Sequence, residues 1–268
     1  MRTLIGLIGD VEFGWALQAI SRFRYQAKSF DRVIAYCEKP FEYLCQDFCD
    51  FTIAYESKTK WRDRWLADAK QPRIPDNILA QYPGASKFVP TRRNCTSPNF
   101  TPFKYGQEES VALRADVLFH ARWIIRGDWI DRKCGGHHNW PNDQWNSLGG
   151  CLSQKYSVAS IGTSKQARHI LGTNDYRDID MHNLCTLMAH AKVVVGESSF
   201  ALHLAAMCGC PSVVITHAEV EKSIGATNRM RHKKIWNPLD TPCKIVEHPK
   251  WNPDPKLVMN EVKKFLCE

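Results

Sequence analysis

Residues 193–211 read VVVGESSFALHLAAMCGCP. Three consecutive valines describe a strand buried on both faces, which is how strands of parallel sheets read. The run FALHLAAM is apolar around most of its circumference and has to be covered on more than one side. Between them stands the polar turn Gly196-Glu197-Ser198-Ser199. A buried strand feeding a buried helix through a short turn is half of a βαβ unit. Such a unit is stable only as part of a larger parallel sheet with helices on its faces.

The remaining units are legible on both sides of this one. An apolar run over residues 3–8 ends in Gly9-Asp10, and helical spacing follows over 14–27. Strands are expected at 32–36 and 51–54, with a short helix at 41–48 between them. After residue 116 the order returns. Strands are expected at 117–120, 156–161, 192–195 and 212–216. Helices are expected at 141–152, 181–191 and 199–208, and a final amphipathic helix at 255–266. The fold class is therefore α/β, with two doubly wound parallel-sheet domains: residues 1–112, and 113–250 followed by a C-terminal helical segment, 251–268. Residues 56–110 break the pattern with six prolines and little periodicity, and read as an irregular insertion in the first domain.

Charge is concentrated in that insertion. The chain of 268 residues carries a formal charge of +8. Between Glu56 and Lys104 ten Lys/Arg stand against four acids, so this segment alone is net +6. Lys58, Lys60, Trp61, Arg62, Arg64, Trp65, Arg92 and Arg93 interleave cations with aromatics and suit an anionic partner. A second basic cluster runs from Arg229 to Lys234. A solvated surface is the plain alternative for either. There is no apolar stretch long enough to cross a membrane. Eleven scattered cysteines and a leaderless N-terminus point to reduced thiols and a cytoplasmic setting. Cys134, His137 and His138 match no common zinc-ligand spacing, so no metal is expected.

In open α/β sheets ligands sit beyond the carboxyl ends of the strands. In the second domain those ends carry His120 and Arg122, Gly162 and Thr163, and Gly196-Glu197-Ser198-Ser199. His203 stands one turn into the following helix. A helix N-terminus after small hydroxyl residues favours an anion, and Arg122 can make a forked contact to a diphosphate. Taken singly, Ser199 is also an ordinary N-cap and His203 an ordinary half-buried histidine. Gly162-Thr163-Ser164-Lys165 lacks the upstream glycine of a P-loop, and no Gly-x-Gly-x-x-Gly follows the first strand. An ATPase and a nicotinamide enzyme are disfavoured.

The stretch HNLCTLMAHAKVVVGESSFALHLAAMCGCPSVVITH resembles the nucleotide-binding half of heptosyltransferase-like glycosyltransferases of the GT-B type, which commonly reads L..L...A..VVG.DSG..HLA...G.P.V. HARW…HHNWPNDQW is similar to that family's strand, loop and Trp-Pro helix start. DVEFGWALQAI resembles its first loop and helix, and is closer still to short phage-encoded and environmental glycosyltransferase-like proteins. The resemblance implies two Rossmann-like domains facing across a cleft, with a nucleoside diphosphate sugar as donor and no cofactor or metal. A UDP-sugar is favoured, with ADP- or GDP-sugar as alternatives. It implies an inverting displacement in which Glu12, with Asp10 as runner-up, takes the acceptor's proton. It also assigns donor binding to the second-domain strand ends, with Glu197 on a ribose hydroxyl and His203 on the phosphate side. The chain departs from the pattern where Ser198 replaces the family's Asp, Phe200 its Gly, and His138 the Lys that precedes Trp-Pro.

The acceptor expectation leans to a hydroxymethylated pyrimidine in phage-type double-stranded DNA, modified in the bacterial host cytoplasm, because cations with interleaved tryptophans suit a phosphate backbone and exposed bases. Lipopolysaccharide or another surface saccharide is the competing acceptor. A catalytically inactive sugar-nucleotide or nucleic-acid binding module is the competing class. Oligomeric state is not legible.

Overall fold

The computed structural model describes residues 1–9, 13–57, 73–90, 113–123, 139–218, 220–221, 226–234, 237, 239–249 and 251–266. The chain forms two compact units, Met1–Lys104 and Tyr105–Glu268.

The first unit holds β1 (Thr3–Ile8), α1 (Phe13–Ala27), β2 (Arg32–Glu38), a 3-10 turn (Lys39–Phe41), α2 (Tyr43–Gln46), β3 (Phe51–Tyr55), α3 (Asp76–Leu79) and β4 (Ser86–Phe88). Its sheet is parallel throughout, in the order β3-β2-β1-β4. The central β1 reads TLIGLI, and nearly all of it is buried. Residues 56–110, expected to be irregular, contribute α3 and the edge strand β4. A three-residue edge strand with Lys87 exposed carries no apolar run to betray it.

The second unit follows with β5 (Val117–His120), α4 (Asn142–Ser153), β6 (Val158–Gly162), β7 (Asn174–Arg177), α5 (Met181–His190), β8 (Val193–Glu197), α6 (Phe200–Met207), β9 (Ser212–Thr216), the two-residue strands β10 (Val220–Glu221) and β11 (Ala226–Thr227), α7 (Asn228–Lys234), β12 (Cys243–Glu247) and α8 (Pro255–Leu266). The six-stranded sheet is ordered β12-β9-β8-β5-β6-β7 and is parallel at every pairing. Counted from β5 this is the order 6-5-4-1-2-3, that of a doubly wound dinucleotide fold. The chain runs outward from β5 to β7, then restarts at β8 on the other side of β5. The carboxyl ends of β5 and β8 therefore form the topological switch point.

One face of this sheet packs Val117, Phe119, Val193, Val195, Val213 and Ile215 against Trp145 and Leu148 of α4 and Val258 and Val262 of α8. The segment after residue 250 is thus part of the second unit's core. Among the described residues no helix is long and apolar enough to cross a membrane, and every described cysteine is a free thiol.

Candidate functional site

The switch point is built from three polar strand ends. At the end of β8, Glu197 is fully buried, although nothing buried is a good place for an isolated carboxylate. Three N–H groups satisfy it. The Arg122 backbone donates to Oε2 at 2.8 Å, the Trp140 backbone to Oε1 at 2.8 Å, and the Trp145 indole Nε1 to Oε1 at 3.1 Å. One side chain thereby fixes the chain leaving β5, the Trp-Pro turn and the first turns of α4. Glu197, expected on a ribose hydroxyl, is turned inward instead. Burial pushes its carboxyl up to about 7 against the downward pull of those hydrogen bonds.

With Glu197 inward, the turn presents Ser198 and Ser199. Ser199 is the N-cap residue of α6, but its side chain makes no capping bond. Its Oγ lies 2.9 Å from His120 Nδ1. His120 is buried at the end of β5, edge-on to Phe200. Burial, reinforced by the Arg122 charge, lowers it to about 3, so the ring is neutral at ordinary pH. His120 Nε2 is buried and has no hydrogen-bond partner among the described residues. Ser198 Oγ lies 3.0 Å from Nε2 of His232, a buried residue of α7. Burial and the neighbouring His203 hold His232 well below its ordinary range, and His203 of α6 stacks on it with centroids 6.3 Å apart. Arg122 Nη1 donates to the Ser198 carbonyl at 3.1 Å, which brings a fixed cation to the same turn. Two consecutive hydroxyls, each held by a neutral imidazole, thus stand at the start of a helix beside a guanidinium. Neutral rings can donate an N–H to each serine and leave the serine protons for a ligand. Small hydroxyls, helix N–H groups and Arg together have the chemistry to hold an anion.

Gly162 closes the third side. Its φ is +114°, which L side chains rarely adopt, and a Cβ there would lie 2.8 Å from Ala167 Cβ and 2.9 Å from the His120 ring. Gly162→Ala should push His120 off Ser199 and cost about 2–3 kcal/mol of stability from overpacking and backbone strain, read as a lower urea midpoint at unchanged slope. Thr163 carries the loop onward, its carbonyl accepting from the Gln166 and Ala167 N–H groups.

The structure thus brings together His120, Arg122, Gly162, Gly196, Glu197, Ser198, Ser199 and His203. His138 lies outside the described residues, as do Asp10 and Glu12, the basic residues Lys58, Lys60, Arg62 and Arg64 with Trp61 and Trp65, and Arg92 and Arg93. In the first unit the expected base position follows Gly9. That glycine has φ +139°, and a Cβ there would meet the Tyr55 hydroxyl at 2.5 Å and Glu38 Cβ at 2.8 Å.

Sequence reasoning missed His232, Trp140 and Trp145. His232 lay inside the basic cluster, which looked like one anion-attracting surface. The cluster is divided: Arg229 Nε pairs with Glu247 at 2.7 Å, and His232 turns inward to Ser198. No sequence signal marks it, because the burial that separates this histidine from its cationic neighbours is a property of the fold. Among the described residues no group of three His, Cys, Asp or Glu stands close enough together to hold a metal ion.

No family model matches the chain, and no curated protein matches it in sequence. Solved structures do resemble it. The glycosyl transferase family 9 protein from Veillonella parvula superposes with a TM-score of 0.60 at 9% identity, covering 99% of this chain and 97% of that one. E. coli ADP-heptose lps heptosyltransferase II gives 0.59 at 13% identity over 99% and 98%. E. coli heptosyltransferase WaaC with ADP gives 0.58 at 11% over 99% and 100%. At these identities the likeness is one of fold: the chain is an α/β protein of two Rossmann-like parallel-sheet units, as in GT-B glycosyltransferases.

Proposed function

We propose that the protein is a nucleotide-sugar-dependent glycosyltransferase whose second unit holds the donor diphosphate at the start of α6. The observation that carries this reading is the switch-point turn, where Ser198 and Ser199 are held by the buried neutral His232 and His120 beside Arg122. A diphosphate needs several fixed donors and a forked cation, and these residues supply both. The acceptor hydroxyl attacks the anomeric carbon with inversion. The bond from that carbon to the β-phosphate oxygen breaks, and the nucleoside diphosphate leaves with the bonding electrons. Glu12, or Asp10 in its place, takes the acceptor's proton. His138 and Thr163 are assigned to the donor side, with His203 behind the turn. The displacement proceeds without a metal cofactor.

The fold relatives include heptosyltransferases described with ADP and with ADP-2-deoxy-2-fluoro heptose. Adenosine diphosphate is therefore the first ligand to test, ahead of uridine diphosphate, and an anionic surface saccharide the first acceptor to test, ahead of DNA. For DNA carrying hydroxymethylated pyrimidines the support is the charge and aromatic content of residues 56–104. In that reading Lys58, Lys60, Trp61, Arg62, Arg64, Trp65, Arg92 and Arg93 contact the acceptor.

Calorimetric titration with ADP, UDP and GDP tests the donor site directly. One diphosphate should bind, and Arg122→Ala should weaken it about tenfold or more through loss of a charge-assisted contact. Absence of binding by all three at millimolar concentration would overturn the reading. Mass spectrometry of lipopolysaccharide core and of hydroxymethylated DNA, each incubated with pooled nucleotide sugars, then identifies the acceptor by the added sugar mass.

A further inference from the structure

Beyond β5 and β6 the chain does not stay parallel. The Trp123 N–H donates to the Gln166 carbonyl at 2.7 Å, the Arg168 N–H donates to the Ala121 carbonyl at 2.8 Å, and Arg122 bridges Ala167 antiparallel. The loop returning from β6 is thus laced to the segment leaving β5. This short ladder places the Arg168 guanidinium over the Trp123 indole, with Cζ 3.8 Å from the ring centroid. Trp123 still keeps 39% of its surface exposed. Among the described residues of the second unit, the exposed large apolar side chains are Trp123, Leu171, Met230 and Leu257. Trp123 is the aromatic in that set, and it follows Arg122 directly in the chain. The pair also borders the site electrostatically. Burial lowers the Arg168 pKa while the charge of Glu197 raises it, so the guanidinium feels the field of the carboxylate that organises the switch point.

An indole of this size gains more from burial than from solvent, and the ladder holds it at the rim of an anion site. Aromatic faces and guanidinium planes are the surfaces on which nucleobases stack. On the β9 side of the switch point, among the described residues, Asn228 Nδ2 donates to Thr216 Oγ1 at 2.8 Å, and Arg229 pairs with Glu247.

We propose that the Trp123–Arg168 stack is the platform for the aromatic base of the nucleotide whose phosphates sit at the start of α6, an inference that rests on the diphosphate site proposed above. The base lies against the indole–guanidinium pair on the β6 side, and the phosphates reach back past Arg122 to Ser198 and Ser199. Phosphate recognition and base recognition are then carried by different side chains, and each can be removed alone.

Calorimetry with ADP and with inorganic pyrophosphate, on the wild-type protein and on Trp123→Ala, Trp123→Leu and Trp123→Phe, reads this out. Loss of the aromatic face in the Ala and Leu variants should weaken ADP about tenfold, leave pyrophosphate within about twofold, and be largely reversed in Trp123→Phe. Trp123→Leu keeps an apolar side chain on the ladder and so separates loss of stacking from loss of fold, with thermal melts as the control. ADP affinity unchanged in Trp123→Ala and Trp123→Leu, or ADP and pyrophosphate weakened alike, overturns the platform while leaving the diphosphate site standing. A wild-type protein that binds none of ADP, UDP, GDP and pyrophosphate overturns both, and if UDP or GDP binds in place of ADP the same comparison is read with that diphosphate.

Discussion

Glu197→Ala should be among the most destabilising single substitutions in the second unit. The change leaves the N–H groups of Arg122 and Trp140 and the Trp145 indole without their acceptor, in a place that water does not reach. Each buried donor left unpaired costs about 1–3 kcal/mol, so the total is about 4 kcal/mol or more. Domain stabilities are of the order of 5–15 kcal/mol, so a unit that loses this much is close to unfolding at 37 °C. Chemical denaturation should show a much lower midpoint for this unit. Glu197→Gln is the gentler variant: its carbonyl can still serve both tryptophans, but its NH2 then faces the Arg122 N–H, one donor against another.

The same pair of proteins exposes a pH dependence of definite sign. The Glu197 carboxyl is raised from 4.5 to about 7. Between those values the native state keeps a proton that the unfolded chain has released. The stability associated with the protonated group is therefore complete below about 4.5 and is lost as pH rises through about 7, by roughly 3 kcal/mol in all. The buried His120, lowered to about 3, works in the opposite direction, because the unfolded chain binds its proton first as pH falls below 6.5. The comparison is thus the difference between wild type and Glu197→Gln. That difference should decline from pH 4.5 to 7 and be flat above. A difference independent of pH across this window would show that Glu197 does not titrate there.

Glu12→Gln should abolish turnover while leaving the donor in place. A carboxylate that takes the acceptor's proton as the oxygen attacks is worth about 10²–10⁴ in rate. The amide keeps the shape and cannot take the proton. The expected result is a fall of that size in kcat, read by nucleoside diphosphate release, with ADP affinity unchanged within about twofold because the proposed phosphate contacts are residues of the second unit. If Glu12→Gln retains full turnover and Asp10→Asn loses it, the base is Asp10. A wild-type protein that binds donor and never releases nucleoside diphosphate with any acceptor would instead be a binding module.

The parts of the fold that repeat a strong local pattern were legible in the amino-acid order alone. Buried central strands must be continuous apolar runs, and β1, β5, β8 and β9 read that way. The two-domain α/β architecture and the polar turn at residues 196–199 followed from them. In the two parallel sheets the strands that periodicity did not reveal are β4, β7 and β12, and each is a sheet edge; the two-residue β10 and β11 are too short to show any period. SKF, NDYR and CKIVE are short or polar because an edge strand is covered on fewer sides. The β-sheet hydrogen bonds that place them come from a neighbour far away in sequence.

Which residues of the turn face inward was decided by packing. Glu197 and the two serines are adjacent in the chain and all polar, so as letters they are equal candidates. Packing separates them. Glu197 closes β8 next to β5 and finds three buried N–H groups within hydrogen-bonding distance, which draws it inward. Ser198 and Ser199 are then held by His232 and His120, whose sequence separations from them are 34 and 79 residues. A basic cluster likewise hid a neutral histidine, because burial, which no composition records, removes its charge.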